Sequence, residues 1–270
     1  MKQQIKFSGM IVCLGVLLVG MTGCTLPPVA QSIVTKAKVA PKKQAASDNE
    51  RVLGTHDLLI GYQSHIEHSH EELASYHLDV PLYNQLTEPA LKYGCEVTAL
   101  GMLLAYYGFD GNKNKLQQQI AKEPYQDSRG LMGNPNKGFV GDATGEKPGT
   151  GVNHGPIANL AQQVVGDNYQ VVDATGQSLQ VLLDKVATGH PVWVVTSIDY
   201  RLPEKEDVVK WKTAEGVLDV HLKHHAAVLT GYDQTSVYLN DAYGEKKVID
   251  RDFFSDIYQT MGAQAVYLDK

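Results

Sequence analysis

The sequence predicts an α+β domain, helices first and antiparallel strands later, carried behind an N-terminal stretch of different character. Three observations predict it. A broadly apolar, helix-periodic segment opens directly after Gly94-Cys95; strand-type runs crowd residues 191–268; and residues 130–155, between them, are so dense in Gly, Pro and Asn that regular structure is not expected. With 270 residues and 43% apolar content the chain is long enough for one large domain or two small ones. Lys and Arg total 24 against 30 Asp and Glu, and the acids are spread rather than gathered in runs, which argues against nucleic acid as a partner.

The N-terminus reads as an export signal. Lys2 and Lys6 form a basic start, and residues 11–19 form an apolar run that is short for a permanent span. The run leads into Met21-Thr22-Gly23-Cys24, which resembles the lipobox of bacterial lipoproteins. That resemblance implies a signal peptide over 1–23, lipidation of Cys24, and an extracytoplasmic protein held at the bacterial cell membrane. A plain transmembrane anchor is the alternative. Residues 24–50, rich in Pro, Ala, Ser and Lys, read as a flexible tether, and 51–77 as a polar, histidine-rich lead-in to a domain over 78–270. His65, His68 and His70 invite a zinc or copper reading, but their spacing matches no closed structural site, and a solvated polar segment is the plainer account.

Within the domain, residues 78–82 suit a short edge strand, because Pro81 cannot donate a ladder hydrogen bond. Residues 96–107 carry Val97, Leu100, Leu103, Leu104 and Tyr107 at helical spacing, with Gly108 as the stop. Their wide apolar girth predicts a buried helix. Further helices are expected over 116–121, 157–165, 179–187 and 253–259, and strands over 191–197, 217–222, 226–231, 236–241 and 263–268. The stretch 130–155 is expected to be a binding loop or a lid. Trp193 is placed in the core and Trp211, between two lysines, half exposed.

Loss of Cys13 with the signal and lipidation of Cys24 leave Cys95 without a partner, so it is either a small buried hydrophobe or a chemical group. Its place at the start of a strong helix favours chemistry, since the positive helix end and a nearby histidinium lower a thiol's pKa. Glu96 would oppose a thiolate and is expected to point outward. A base must come from elsewhere in the chain, and His225 opens an apolar strand, HAAVLTGYD. An odd-numbered hairpin loop would put His225 on one face with Asp241, which would fix the imidazole tautomer; an even loop would separate them. His224 and Asn240 have the opposite parity. Gln85 is a candidate side-chain donor to an oxyanion. His154 would either touch substrate or cap the following helix.

The segments LDVPLYNQ, YGCEVTALGMLLAYYGF, HHAAVLTGYD and VYLNDAYG together resemble the bacterial cysteine peptidase family thirty-nine, the bacteriocin-leader-processing peptidases, and its stand-alone relatives. The resemblance spans residues 78–268. It implies a papain-like fold with Cys95 as nucleophile, His225 as general base and acid, Asp241 as orienter and Gln85 as oxyanion donor, acting on a peptide or protein without a cofactor. Two departures stand out: Asp241 is followed by Ala242 where relatives often have Pro, and the transport membrane domains of leader-cutting members are absent, so leader cleavage is not carried over. The same machinery would also serve a cell-wall amidase or a transglutaminase, and a binding module that kept the fold without turnover is the rival of a different class.

Overall fold

A computed structural model describes residues 75–270. The export signal, Cys24, the tether and His65, His68 and His70 lie outside the described residues. In chain order the elements are β1 (Tyr76–His77), α1 (Cys95–Tyr106), α2 (Lys113–Gln119), β2 (Lys122–Glu123), β3 (Phe139–Val140), α3 (His154–Val165), β4 (Gln170–Asp173), α4 (Leu179–Ala187) and β5 (Val192–Ser197). There follow β6 (Val208–Thr213), β7 (Gly216–His221), β8 (His224–Tyr232), β9 (Ser236–Asp241), β10 (Glu245–Asp250), α5 (Arg251–Thr260) and β11 (Ala265–Asp269).

The central sheet is antiparallel in the order β10-β9-β8-β5-β11-β4, with β1 added to the end of β8. Alternation along its strands decides which residue faces which layer. Trp193 and Val195 of β5, with Ala226 and Val228 of β8, join α1 and α3 in one apolar cluster. Val192, Val194, Ala227 and Leu229 face the other way, onto α4 and onto Phe254 and Tyr258 of α5. The sheet is therefore covered on both faces, whereas segregation of early helices from late strands suggested one layer against another. α1 is buried from Cys95 to Leu104 without a polar face, as its apolar girth required. Trp193 is fully buried, and its indole N–H donates to the Glu96 carbonyl at 3.1 Å, fastening the first turn of α1 to the sheet.

Several expectations need correction. Residues 78–82 form no strand; the short strand is β1, just before them, so the sheet takes in Tyr76 and His77 from the segment read as lead-in. The strands β4, β6 and β10 were not expected. β6 and β10 each carry two lysines, and edge or hairpin strands with one wet face give weak apolar periodicity. Trp211 is buried at 8% exposure, because β6 and β7 form a hairpin whose apolar face packs Trp211 and Val220 on Val140. The glycine-rich stretch packs into the body of the protein: Phe139 and Val140 are fully buried, and Val140 exchanges backbone hydrogen bonds with Thr150 and Gly151.

Candidate active site

The β8–β9 hairpin carries two of the expected residues. Tyr232 pairs with Val237, so the loop between them, 233–236, is even, the condition under which His225 and Asp241 would part. A β-bulge reverses the outcome. Leu229 pairs with Leu239 and Gly231 with Tyr238, leaving Thr230 as one extra residue on β8. The bulge is satisfied locally: the Thr230 carbonyl accepts from Leu78 N at 2.8 Å and its hydroxyl donates to the Tyr238 carbonyl at 3.2 Å. Below it Asp241 stands opposite Ala227, with His225 as its diagonal neighbour on the same face.

His225 Nε2 and Asp241 Oδ2 are 3.0 Å apart, and both residues are 1% exposed. With Nε2 engaged, Nδ1 is the nitrogen left for a thiol. Two tyrosines complete this pair. The Tyr200 hydroxyl donates to the same Oδ2 at 2.6 Å, and the Tyr243 ring lies stacked on the imidazole at 5.2 Å and 14°. Asp241 Oδ1 accepts from Tyr243 N at 2.6 Å. Burial pushes the Asp241 carboxyl up, but the hydrogen bond and charge of His225, with the Tyr200 and Tyr243 donors, outweigh it and hold the group below the usual carboxylate range. The turn after Asp241 closes with Gly244 N donating to the Asp241 carbonyl, Gly244 at φ +80°, so Ala242 in place of Pro leaves the turn intact.

Backbone and side-chain bonds of Gln85 and the surroundings of the thiol place the other two residues in the neighbourhood of this pair. Gln85 N donates to the Ala242 carbonyl at 2.7 Å, next to Asp241; its carbonyl accepts from Leu91 N at 2.9 Å, and its side-chain Nε2 donates to the Lys92 carbonyl at 2.9 Å, three residues before Cys95. The Gln85 amide thus has its second N–H hydrogen to offer, and its Oε1 is buried without a partner. From α1, the Cys95 thiol lies near enough for the backbone N–H of Ala226, one peptide from His225, and the charge of Asp241 to act on it. Asn240 is turned away, donating to the Val80 carbonyl at 2.9 Å.

The environment of the thiol departs from expectation. Glu96 points inward, fully buried; its Oε1 accepts from Val152 N at 3.2 Å and lies 3.2 Å from His224 Nδ1, while Oε2 is buried without a hydrogen-bond partner. Burial first, then the Glu96 charge, pushes the Cys95 thiol up, against the lowering expected of a helix start. The physical reason is the helix itself: a carboxylate in the first turn of a segment buried all round has no wet face to reach. That signal was present in the sequence, as was Tyr243, which shares its strand parity with Asp241. Tyr200 had no such signal, lying in a turn of no regular pattern. Gly151 makes the Glu96 contact possible, since a Cβ there would stand 2.2 Å from Glu96 Oε1. Beside this contact a cavity of about 180 Å³ opens between Gly151, Asn153, His221, His224 and Gln264. His154 caps no helix through its side chain; its Nδ1 pairs with Asp173 Oδ2 at 2.6 Å.

Comparison with known proteins agrees with this architecture. Uncharacterized protein YvpB of Bacillus subtilis (strain 168) is 44% identical over 194 residues, 72% of this chain and 76% of that one. The crystal structure of a Bacillus anthracis protein provisionally assigned as a C39-like peptidase superposes with a TM-score of 0.69 at 36% identity, over 73% of this chain and 98% of that one. The model of the peptidase C39-like family matches residues 77–266, most of the described residues, and the chain belongs to that family.

Proposed function

We propose that the chain is a cysteine peptidase acting through Cys95, His225, Asp241 and Gln85, lipid-anchored through Cys24 on the outer side of the bacterial cell membrane. The observation that carries the reading is the buried His225–Asp241 pair on a strand whose next residue, Ala226, lies near enough for its backbone N–H to act on the Cys95 thiol. Family membership supports it, and the export signal with its lipobox supports the location. Among the described residues no helix is long and apolar enough to cross a membrane.

On this reading His225 Nδ1 takes the thiol proton, and the thiolate attacks the scissile carbonyl. The resulting oxyanion receives the Cys95 backbone N–H and the second Gln85 amide hydrogen, as such sites require. The imidazolium then protonates the leaving amine, and water, deprotonated by His225, releases the acid from the acyl-enzyme. The cavity beside His224 has room for a single side chain of the substrate, since about 150 Å³ accommodates a benzene ring. Asp241 keeps the proton of His225 on Nε2 and stabilises the imidazolium.

One observation favours a rival. A thiol raised by burial and by the Glu96 charge is what a binding module that kept the fold but lost turnover would also hold. Cys95→Ala separates the two. Peptide hydrolysis and labelling by a thiol-directed electrophile are expected to vanish in that variant; hydrolysis that persists refutes the assignment, and peptide binding without product in either protein favours the rival.

A further inference from the structure

Asp241 carries one more donor than a nucleophile, base and orienter require. Its Oδ2 is shared by His225 Nε2 at 3.0 Å and by the Tyr200 hydroxyl at 2.6 Å. Tyr200 is 7% exposed and lies at φ +53°, a left-handed conformation that costs a bulky residue of order 1 kcal/mol or more and persists only where the surroundings impose it. The surroundings do so here. Tyr200 N donates to the Ser197 carbonyl at 3.0 Å, Arg201 N donates to Ser197 Oγ at 2.9 Å, and the neighbouring Asp199 pairs with Lys223 Nζ at 2.7 Å. Lys223 directly precedes the strand of His225, and Ile198 N donates to its carbonyl at 2.9 Å. The turn is thus tied on both sides to β8, and its strained residue is the one whose hydroxyl meets Asp241.

We infer that Tyr200 is a positioning residue of the catalytic centre, holding Asp241 in rotation and limiting how strongly the carboxylate attracts the proton of His225. The inference rests on the reading of Cys95, His225 and Asp241 given above. Two donors on one oxygen divide its acceptor strength, so the carboxylate stabilises the imidazolium less than it would alone. An imidazolium of lower pKa is a better acid toward the departing amine. The phenol does not ionise in the working range: burial first, then the charge of Asp241, pushes it far up, so it remains a donor throughout. The charged and titratable groups that act on it are Asp241 from β9, Glu245 from β10 and Cys95 from α1, with His225 sharing the Asp241 oxygen.

The test uses Tyr200→Phe, which keeps the ring and removes only the donor, read by the pH dependence of Cys95 alkylation with iodoacetamide and of kcat/KM on a peptide. Removal of the donor strengthens Asp241 as an acceptor and raises the imidazolium pKa. Because His225 acts as a neutral base, its protonation sets the acidic limb of both profiles, which is expected to move up by about half a unit to one unit, with kcat falling about tenfold and KM changing less than about twofold. Replacing Tyr200 by 3-fluorotyrosine makes the phenol a stronger donor with almost no change of shape, and moves the same limb down. Opposite shifts from the two substitutions are not produced by a merely structural role. An unmoved acidic limb in folded Tyr200→Phe, or in the fluorinated protein should the Phe variant not fold, overturns the inference. The two readings fail separately: alkylation of the unsubstituted protein that follows a lone thiol, with no second limb from the imidazole, overturns the catalytic assignment itself.

Discussion

Replacing Glu96 by Gln isolates the largest charge acting on the nucleophile. The carboxylate lies in the same helix turn as the Cys95 thiol, with no exposed face, and its charge opposes the thiolate. At about 4 Å and an effective dielectric constant of ~20, a unit charge is worth ~4 kcal/mol, or roughly 3 pKa units. His224, 3.2 Å from the same oxygen, offsets part of this whenever it is protonated, so a fall of about one to two units is expected. The amide can still accept from Val152 N, which keeps the local fold. Removing a negative neighbour lowers an acid's pKa, so the midpoint of Cys95 alkylation moves toward acid. A thiolate of lower pKa is also less nucleophilic, with a Brønsted slope of about 0.45, so the alkylation rate at pH 7 rises only about fourfold to thirteenfold rather than by the full gain in thiolate. The assay is iodoacetamide alkylation across pH, with circular dichroism to establish the fold. A midpoint that stays or moves toward alkali in folded Glu96→Gln refutes the assignment of Glu96 as the charge that holds the thiol protonated.

Two further substitutions probe how the backbone builds the site. Deleting Thr230 removes the one unpaired residue and leaves Leu229 opposite Leu239 and Ala227 opposite Asp241, so His225 and Asp241 stay on one face; peptide hydrolysis is expected to survive while the urea midpoint falls by an amount worth about 1 kcal/mol through the lost Leu78 N to Thr230 carbonyl bond, and abolished hydrolysis in the folded variant refutes this account of the bulge. Gly151→Ala places a Cβ 2.2 Å from Glu96 Oε1, whose position Val152 N and His224 both hold. Overpacking of this kind costs about 1–3 kcal/mol, so the urea midpoint should fall, and an unchanged midpoint shows that Glu96 has room to move.

Much of the fold was legible because burial imposes period. The helix after Gly94, the helix over 179–187 and the strands carrying Trp193, His225 and Asp241 all show it, and the structure places them within a residue or two. Strands with a wet face were not legible: β6 reads VVKWKT and β10 reads EKKVID, and only the hairpin partner of each reveals a paired strand. Trp211 was misjudged for the same cause, since flanking lysines describe the wet face of a strand and not the tryptophan between them.

The candidate site divides along the same line. The residue types, their order in the chain and the helix start at Cys95 are local properties, so the sequence by itself determined them, along with the impossibility of a wet place for Glu96. Register, rotation and charge around those residues were decided only by the tertiary structure. The parity rule alone would have separated His225 from Asp241 across an even loop, and one extra residue, Thr230, reunites them. Tyr200 reaches Asp241 across 41 positions of sequence through a strained turn clamped to a neighbouring strand. Such contacts depend on which backbones lie side by side after packing, a property of the assembled sheet that no short window of residues contains.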